Sequence, residues 1–292
     1  MKEKKKMTYA QKRSFWGILF LLPWAIGILV FFLGPLVRTF YYSFFEMELA
    51  TGGFSYKFTG LGNYKYALRV DPAFNQKLLA ALTETFRNVP IQIFVSLFVA
   101  MLLNGEYKGK GFFRLIFFVP IILATGITKL ELADITLAKE ASESFVNTAG
   151  VTNILNSSGI PSAFINYIMV FVNDIFDVIT TAGVQMLIFL SGLQSISPSL
   201  YEVAKIEGCS QFECFCKITL PMISPMILVC MIYSLADSFA RADISKMIST
   251  TTFTNAQYGL GAAMSAVYFL VSIFVILVLS AIVSKGVFYY DK

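Results

Sequence analysis

The chain has 292 residues, of which 57% are hydrophobic and 14% charged, with a mean hydropathy of +0.69. Soluble domains carry roughly a quarter charged residues, so this composition excludes an ordinary soluble protein, a disordered chain and a collagen-like one. A net charge of +5 without a basic block alternating with aromatics argues against nucleic acid as a partner, and the absence of histidine removes the usual proton shuttle and the commonest transition-metal ligand.

Six basic residues, Lys2, Lys4, Lys5, Lys6, Lys12 and Arg13, precede a charge-free run from Ser14 to Val37. That run is too long for the apolar core of a signal peptide and no small-residue cleavage site follows, so it is expected to stay as an anchor. Residues 1–13 form a basic N-terminus and 14–292 one membrane domain. The aromatic stretch Phe40 to Phe45 fits an interface belt. Charge-free Asn88 to Gly105 gives a second span. A third, Leu115 to Thr128, must extend through Lys129, Glu131 and Asp134 at its outer end.

The fourth span, Phe164 to Leu193, is interrupted by Asn166, Asn173, Asp174, Asp177 and Gln185. Asn166, Asn173, Asp177 and Thr181 share one helical stripe that Gln185 continues, and polar groups in a span are costly unless they face a wet or protein interior. They are candidate solute-pathway residues, although Asp174 and Asp177 at the membrane surface would explain the pattern equally simply. The fifth span, Ile218 to Ala236, carries a similar stripe of Ser234, Asp237 and Arg241, read either as pathway or as a surface i, i+4 ion pair. A sixth lies within Met247 to Ser284. The fold expected is an all-α integral membrane protein with six transmembrane helices. The termini and the loops on their side hold 13 Lys or Arg, which places both ends in the cytoplasm.

Between spans four and five runs GLQSISPSLYEVAKIEGCSQFECFCKITLPMISP, residues 192–225. Pro198, with Ser199 and Glu202 spaced as a capping box, starts a short helix whose expected face is Leu200, Val203, Ala204 and Glu207. Gly208 supplies the left-handed residue that ends it. Ser210 and Glu213 form a second capping box, with Phe212, Phe215 and Cys216 as the expected apolar face. The product is a helix-turn-helix on the cytoplasmic side, suited to docking. Cys209, Cys214, Cys216 and Cys230 lack the ligand set of a structural zinc site and read as reduced thiols, so no metal or cofactor is expected.

This loop, residues 195–221, resembles the EAA loop of binding-protein-dependent ABC transporter permeases. The matching positions are Glu202, Val203, Ala204, Gly208, Ile218, Leu220 and Pro221, with every spacing met and Val in place of one Ala. The flanking Gly-Leu-Gln-Ser-Ile and Phe-x-x-Ile-Thr-Leu-Pro resemble more narrowly the carbohydrate permeases of the maltose and glycerol-phosphate type, and Leu22-Pro23, Gly34-Pro35, Ser43-Phe44 and Gly109 to Pro120 extend the likeness to the first permease of a two-permease sugar system. A tryptophan usual before the outer loop is missing, and Glu207 stands where Asp is common. The resemblance implies a non-catalytic, multi-pass subunit of the plasma or inner membrane. It implies a heterodimer with a second permease, two cytosolic ATP-binding subunits, an extracellular or periplasmic solute-binding protein and a sugar substrate. No Gly-x-x-x-x-Gly-Lys-Ser/Thr loop occurs in the sequence, so ATP would act through the partners. An ion-coupled secondary transporter would need no such loop, and a non-transporting membrane scaffold would need no polar stripe.

Overall fold

The structure is a computed structural model that describes residues 9–50, 53–105, 111 and 182–288. The third span and the stripe residues Asn166, Asn173, Asp177 and Thr181 lie outside the described residues. Among the described residues four helical segments are long and apolar enough to cross a membrane: Phe15–Tyr42, Pro72–Asn104, Gln211–Arg241 and Tyr258–Ser284.

The chain divides into two compact units, residues 1–81 with 242–273, and residues 82–241 with 274–292. The first unit begins with helix α1 (Tyr9–Gly27), a wide π turn (Ile28–Leu33) and α2 (Gly34–Tyr42). The wide turn closes with Gly34 N–H donating to the Leu29 carbonyl, and Pro35 follows at once. Proline offers no N–H and its ring crowds the carbonyl four residues back, and an inserted residue is a local way to accommodate it.

Strands β1 (Phe45–Ala50) and β2 (Gly53–Phe58) then form an antiparallel hairpin, which corrects the all-α expectation. Phe45 pairs with Phe58, Glu46 with Lys57 and Met47 with Tyr56, so aromatic and opposite-charge cross-strand pairs support the ladder. Asn63 clamps its start by donating Nδ2–H to the carbonyls of Ser43 (2.9 Å) and Phe45 (3.0 Å). The short helix α3 (Gly62–Lys65) and another wide turn (Tyr66–Val70) lead to α4 (Pro72–Asn104). That helix begins well before the charge-free run Asn88 to Gly105, because Asp71 caps it, accepting from the N–H of Ala73 and Phe74. The unit's core gathers Ala67, Phe74, Ala81, Ile244, Ile248 and Met264.

The second unit includes α5 (Gly183–Ser195), α6 (Pro198–Ile206), α7 (Gln211–Cys214), a wide turn (Phe215–Thr219) and α8 (Leu220–Arg241). Its core joins Leu97, Ala100 and Leu103 of α4 to Phe189 and Leu193 of α5 and Ile223 of α8. Helices α5 and α8 approach closely at Gly192, where an added Cβ would sit 2.8 Å from Met226 Cγ. After α8 come α9 (Asp243–Ser249), a wide turn (Thr250–Thr254) and α10 (Tyr258–Ser284), so the expected sixth span, drawn within Met247 to Ser284, starts at Tyr258.

Candidate functional site: the loop before span five

Helix α6 starts two residues earlier than the sequence suggests. Its N-cap is Ser197, extended at ψ 129°, because the residue before a proline is pushed out of the helical region and Pro198 then takes the first helical position. Ser199 therefore lies inside the helix, and its Oγ is 2.7 Å from Ser197 Oγ instead of forming the expected box with Glu202. The inward face also differs. Leu200 and Tyr201 pack on the core and Ala204 is buried, whereas Val203 and Glu207 are exposed. Packing against α4 and α5 rotates the buried stripe away from Val203.

The end of α6 follows the sequence expectation in detail. Gly208 has φ +79°, its N–H donates to the Lys205 carbonyl (3.1 Å), and Cys209 N–H donates to the Ala204 carbonyl (2.9 Å). This bond pair is the Schellman arrangement. Two residues on, Ser210 caps α7: Glu213 N–H donates to Ser210 Oγ (3.3 Å) and Ser210 N–H donates to Glu213 Oε2 (2.9 Å), the complete capping box. Here too the apolar face is turned from the expected one, since Cys214 is buried while Phe212 and Cys216 are exposed.

The side chains held outward are the ones a partner would meet. Val203 is 54% exposed, Ile206 86% and Phe212 75%, with Glu202, Lys205 and Glu207 also exposed. Large apolar side chains presented on capped, fixed helices are a feature of interaction surfaces. On the inner side, Tyr201 Oη and Thr219 Oγ1 share a hydrogen bond of 2.9 Å, tying α6 to the wide turn that opens span five. The sequence reading missed this tie, whose partners are 18 residues apart. That wide turn, closed by Leu220 N–H to the Phe215 carbonyl, precedes Pro221, as the one in span one precedes Pro35. Ile218 is half-buried, Leu220 36% exposed, and Pro221 is the second residue of α8. A cavity of about 290 Å³ lies against the loop, bordered by Met101, Asn104, Leu193 and Lys205. The Cys209 thiol is pushed from 9.0 up to about 11, chiefly by its hydrogen bond with Cys214, then by desolvation and the nearby Glu213 charge.

Of the candidate pathway residues, the structure brings Gln185 and Ser234 together. Gln185 Nε2–H donates to Ser234 Oγ (2.8 Å), and both are fully buried between α5 and α8. Asp237 is held by Arg241 through two bonds, Nη2 to Oδ2 at 2.9 Å and Nε to Oδ1 at 3.0 Å.

Four long apolar helices, with a capped helix-turn-helix leading into α8, define a multi-pass membrane protein. The chain matches the family described as "Binding-protein-dependent transport system inner membrane component" over residues 69–292, and it belongs to that family. It is 30% identical over 282 residues to the trehalose/maltose transport system permease protein MalF of Thermococcus litoralis, covering 90% of this chain and 91% of that one. It is 28% identical over 248 residues to the probable ABC transporter permease protein YesP of Bacillus subtilis, covering 84% and 77%. A solved bacterial ABC transporter involved in the import of the acidic polysaccharide alginate contains a chain that superimposes with a TM-score of 0.67 at 18% identity, covering 94% of this chain and 96% of that one, a likeness of fold. As a permease subunit the chain is non-catalytic, and ATP hydrolysis belongs to a separate subunit.

Proposed function

We propose that this chain is one of two permease subunits of an ATP-driven sugar importer, and that α6 and α7 are its contact with two cytosolic ATPases. The observation that carries the docking role is the pair of locked helix ends, Gly208 and the Ser210–Glu213 box, which hold Val203, Ile206 and Phe212 outward. The sugar class rests on relatives named as trehalose/maltose and lactose permeases. Both termini and the loop face the cytoplasm, six spans cross the bilayer, and a solute-binding protein delivers substrate from outside.

Closure of the ATPases on ATP would displace α6 and α7 as one body, since the turn between them is hydrogen-bonded at both ends. The Tyr201–Thr219 bond passes that displacement to the start of span five, coupling through a rigid element with two arrangements. Asn166, Asn173, Asp177, Thr181, Gln185, Ser234 and Asp237 remain the proposed pathway set. Gln185 and Ser234 satisfy one another in the state described, and solute hydroxyls would replace that bond when spans four and five part.

Gly208→Pro breaks the left-handed turn and Glu202→Lys reverses charge beside Val203. Each should abolish solute-stimulated ATP hydrolysis in the assembled complex while membrane insertion survives. An unmodified stimulated rate in either assembled variant would sink the coupling role.

A further inference from the structure

The first unit holds a cavity of about 500 Å³ between the end of α2, the β1–β2 hairpin, α9 with its wide turn, and the start of α10. Its volume is within the range of small-molecule sites, roughly 300–1,000 Å³. Among the described residues no Asp, Glu, Lys or Arg lines it. The walls instead combine four aromatic rings, Tyr42, Tyr56, Phe253 and Tyr258, with hydroxyls that include Thr39, Ser249, Thr252 and Ser265.

The chemistry of that lining is directional. Thr39 Oγ1–H donates to the Pro35 carbonyl (3.0 Å) and Thr252 Oγ1–H to the Ile248 carbonyl (2.7 Å), so each hydroxyl proton is engaged and the oxygen presents lone pairs as acceptors. Tyr42 and Tyr56 stack at 6.2 Å with an interplanar angle of 27°, and Phe253, 74% exposed, stands at the rim. A sugar ring presents apolar C–H faces and a rim of hydroxyls that both donate and accept, which matches rings beside oriented acceptors. An ionised solute would find no counter-charge in the lining, and an unpaired buried charge is costly.

The backbone around the cavity is specialised. The wide turn Thr250–Thr254 closes with Asn255 N–H to the Thr250 carbonyl (3.0 Å), and Ala256, φ +56°, is strained for a residue with a side chain. Wide turns and strained residues concentrate at functional sites. At Gly261 an added Cβ would collide with Thr252, so glycine allows α10 to approach the wide turn. Helix α8 starts beside the proposed coupling loop and ends at Arg241, at its far end from that loop, and α9 begins two residues later in the sequence.

We infer that this cavity receives a neutral saccharide at the outer face, before solute enters the span region. The inference rests on the sugar-importer reading. The test uses the full chain assembled with its permease and ATPase partners in lipid nanodiscs, without the solute-binding protein. Maltose, trehalose and lactose are titrated beside a dimer of galacturonic acid. A neutral disaccharide should bind and the acidic one should bind at least 10-fold more weakly. The Ser249→Ala, Phe253→Ala pair, both exposed positions, should weaken neutral binding at least 10-fold at unchanged complex yield. In a separate Ser249→Cys variant, the neutral disaccharide should protect Cys from a polar methanethiosulfonate reagent.

Equal binding of the acidic dimer, unchanged affinity in the pair variant, or no protection would overturn the cavity's role while sugar uptake by cells leaves the importer reading standing. Absence of saccharide uptake by the unmodified transporter would instead overturn the importer reading, and this inference with it.

Discussion

Gly208, in the proposed coupling loop, is constrained by its backbone alone: φ is +79°, yet nothing lies within 4 Å of where a Cβ would sit. Gly208→Ala should therefore cost about 1 kcal/mol in backbone strain with no clash. Partial loss of solute-stimulated ATPase activity, intermediate between the unmodified chain and Gly208→Pro, is the expected result. Next to it, Cys209 reports on the same turn. Its thiol is held protonated up to about 11 instead of 9.0, so near pH 8 its thiolate fraction falls about 100-fold, and the thiolate is the reactive form. Maleimide should modify Cys209 about 100-fold more slowly in the folded protein than after denaturation, a difference that narrows as pH rises toward 11. The neutral thiol is favoured in the folded turn, so its contribution is present below pH 9 and is lost as pH climbs through 11. Equal native and denatured labelling rates would contradict the hydrogen-bonded turn.

Helices α6 and α7 separate holding from transmitting. Ser210→Ala removes the N-cap of α7 and should cost about 1 kcal/mol of local stability, read as faster hydrogen exchange at Gln211 to Cys214. Tyr201→Phe deletes the bond to Thr219, a net ~1 kcal/mol, and should lower stimulated ATPase activity while ATPase subunits still co-purify in full yield. Loss of both, or of neither, would deny a transmitting role. These elements also show what a sequence can disclose. The end of α6 and the start of α7 were legible because the glycine turn and the Ser210–Glu213 capping box are decided within three or four residues. Which side of each helix turns inward was legible only in part: Leu200 and Ala204 lie on the expected face of α6, but Val203 and Glu207 stay exposed and Cys214 is the buried residue of α7, choices made by packing. The β1–β2 hairpin carried a legible signal that the all-α reading passed over: alternation in Phe45-Glu46-Met47-Glu48 and Phe54-Ser55-Tyr56-Lys57 about Gly52-Gly53. The Gln185–Ser234 pair, 49 residues apart, had no local signal.

The described residues present a large apolar surface. In span one, Phe20 is 80% and Phe31 82% exposed, and a helix apolar on all sides belongs in lipid or against another helix. The proposed cytoplasmic placement of this loop predicts that an impermeant thiol reagent labels exposed Cys216 only after intact cells are permeabilised; labelling beforehand would reverse the topology. Docking of ATPases by α6 and α7 through their outward apolar side chains is tested directly by native mass spectrometry of the purified complex. The expected assembly is one copy of this chain, one second permease and two ATPase subunits. Ile206→Asp with Phe212→Asp should release the ATPases and keep the permease pair. A complex that retains both ATPases in that variant, or an unmodified chain that never carries them, would contradict the claim.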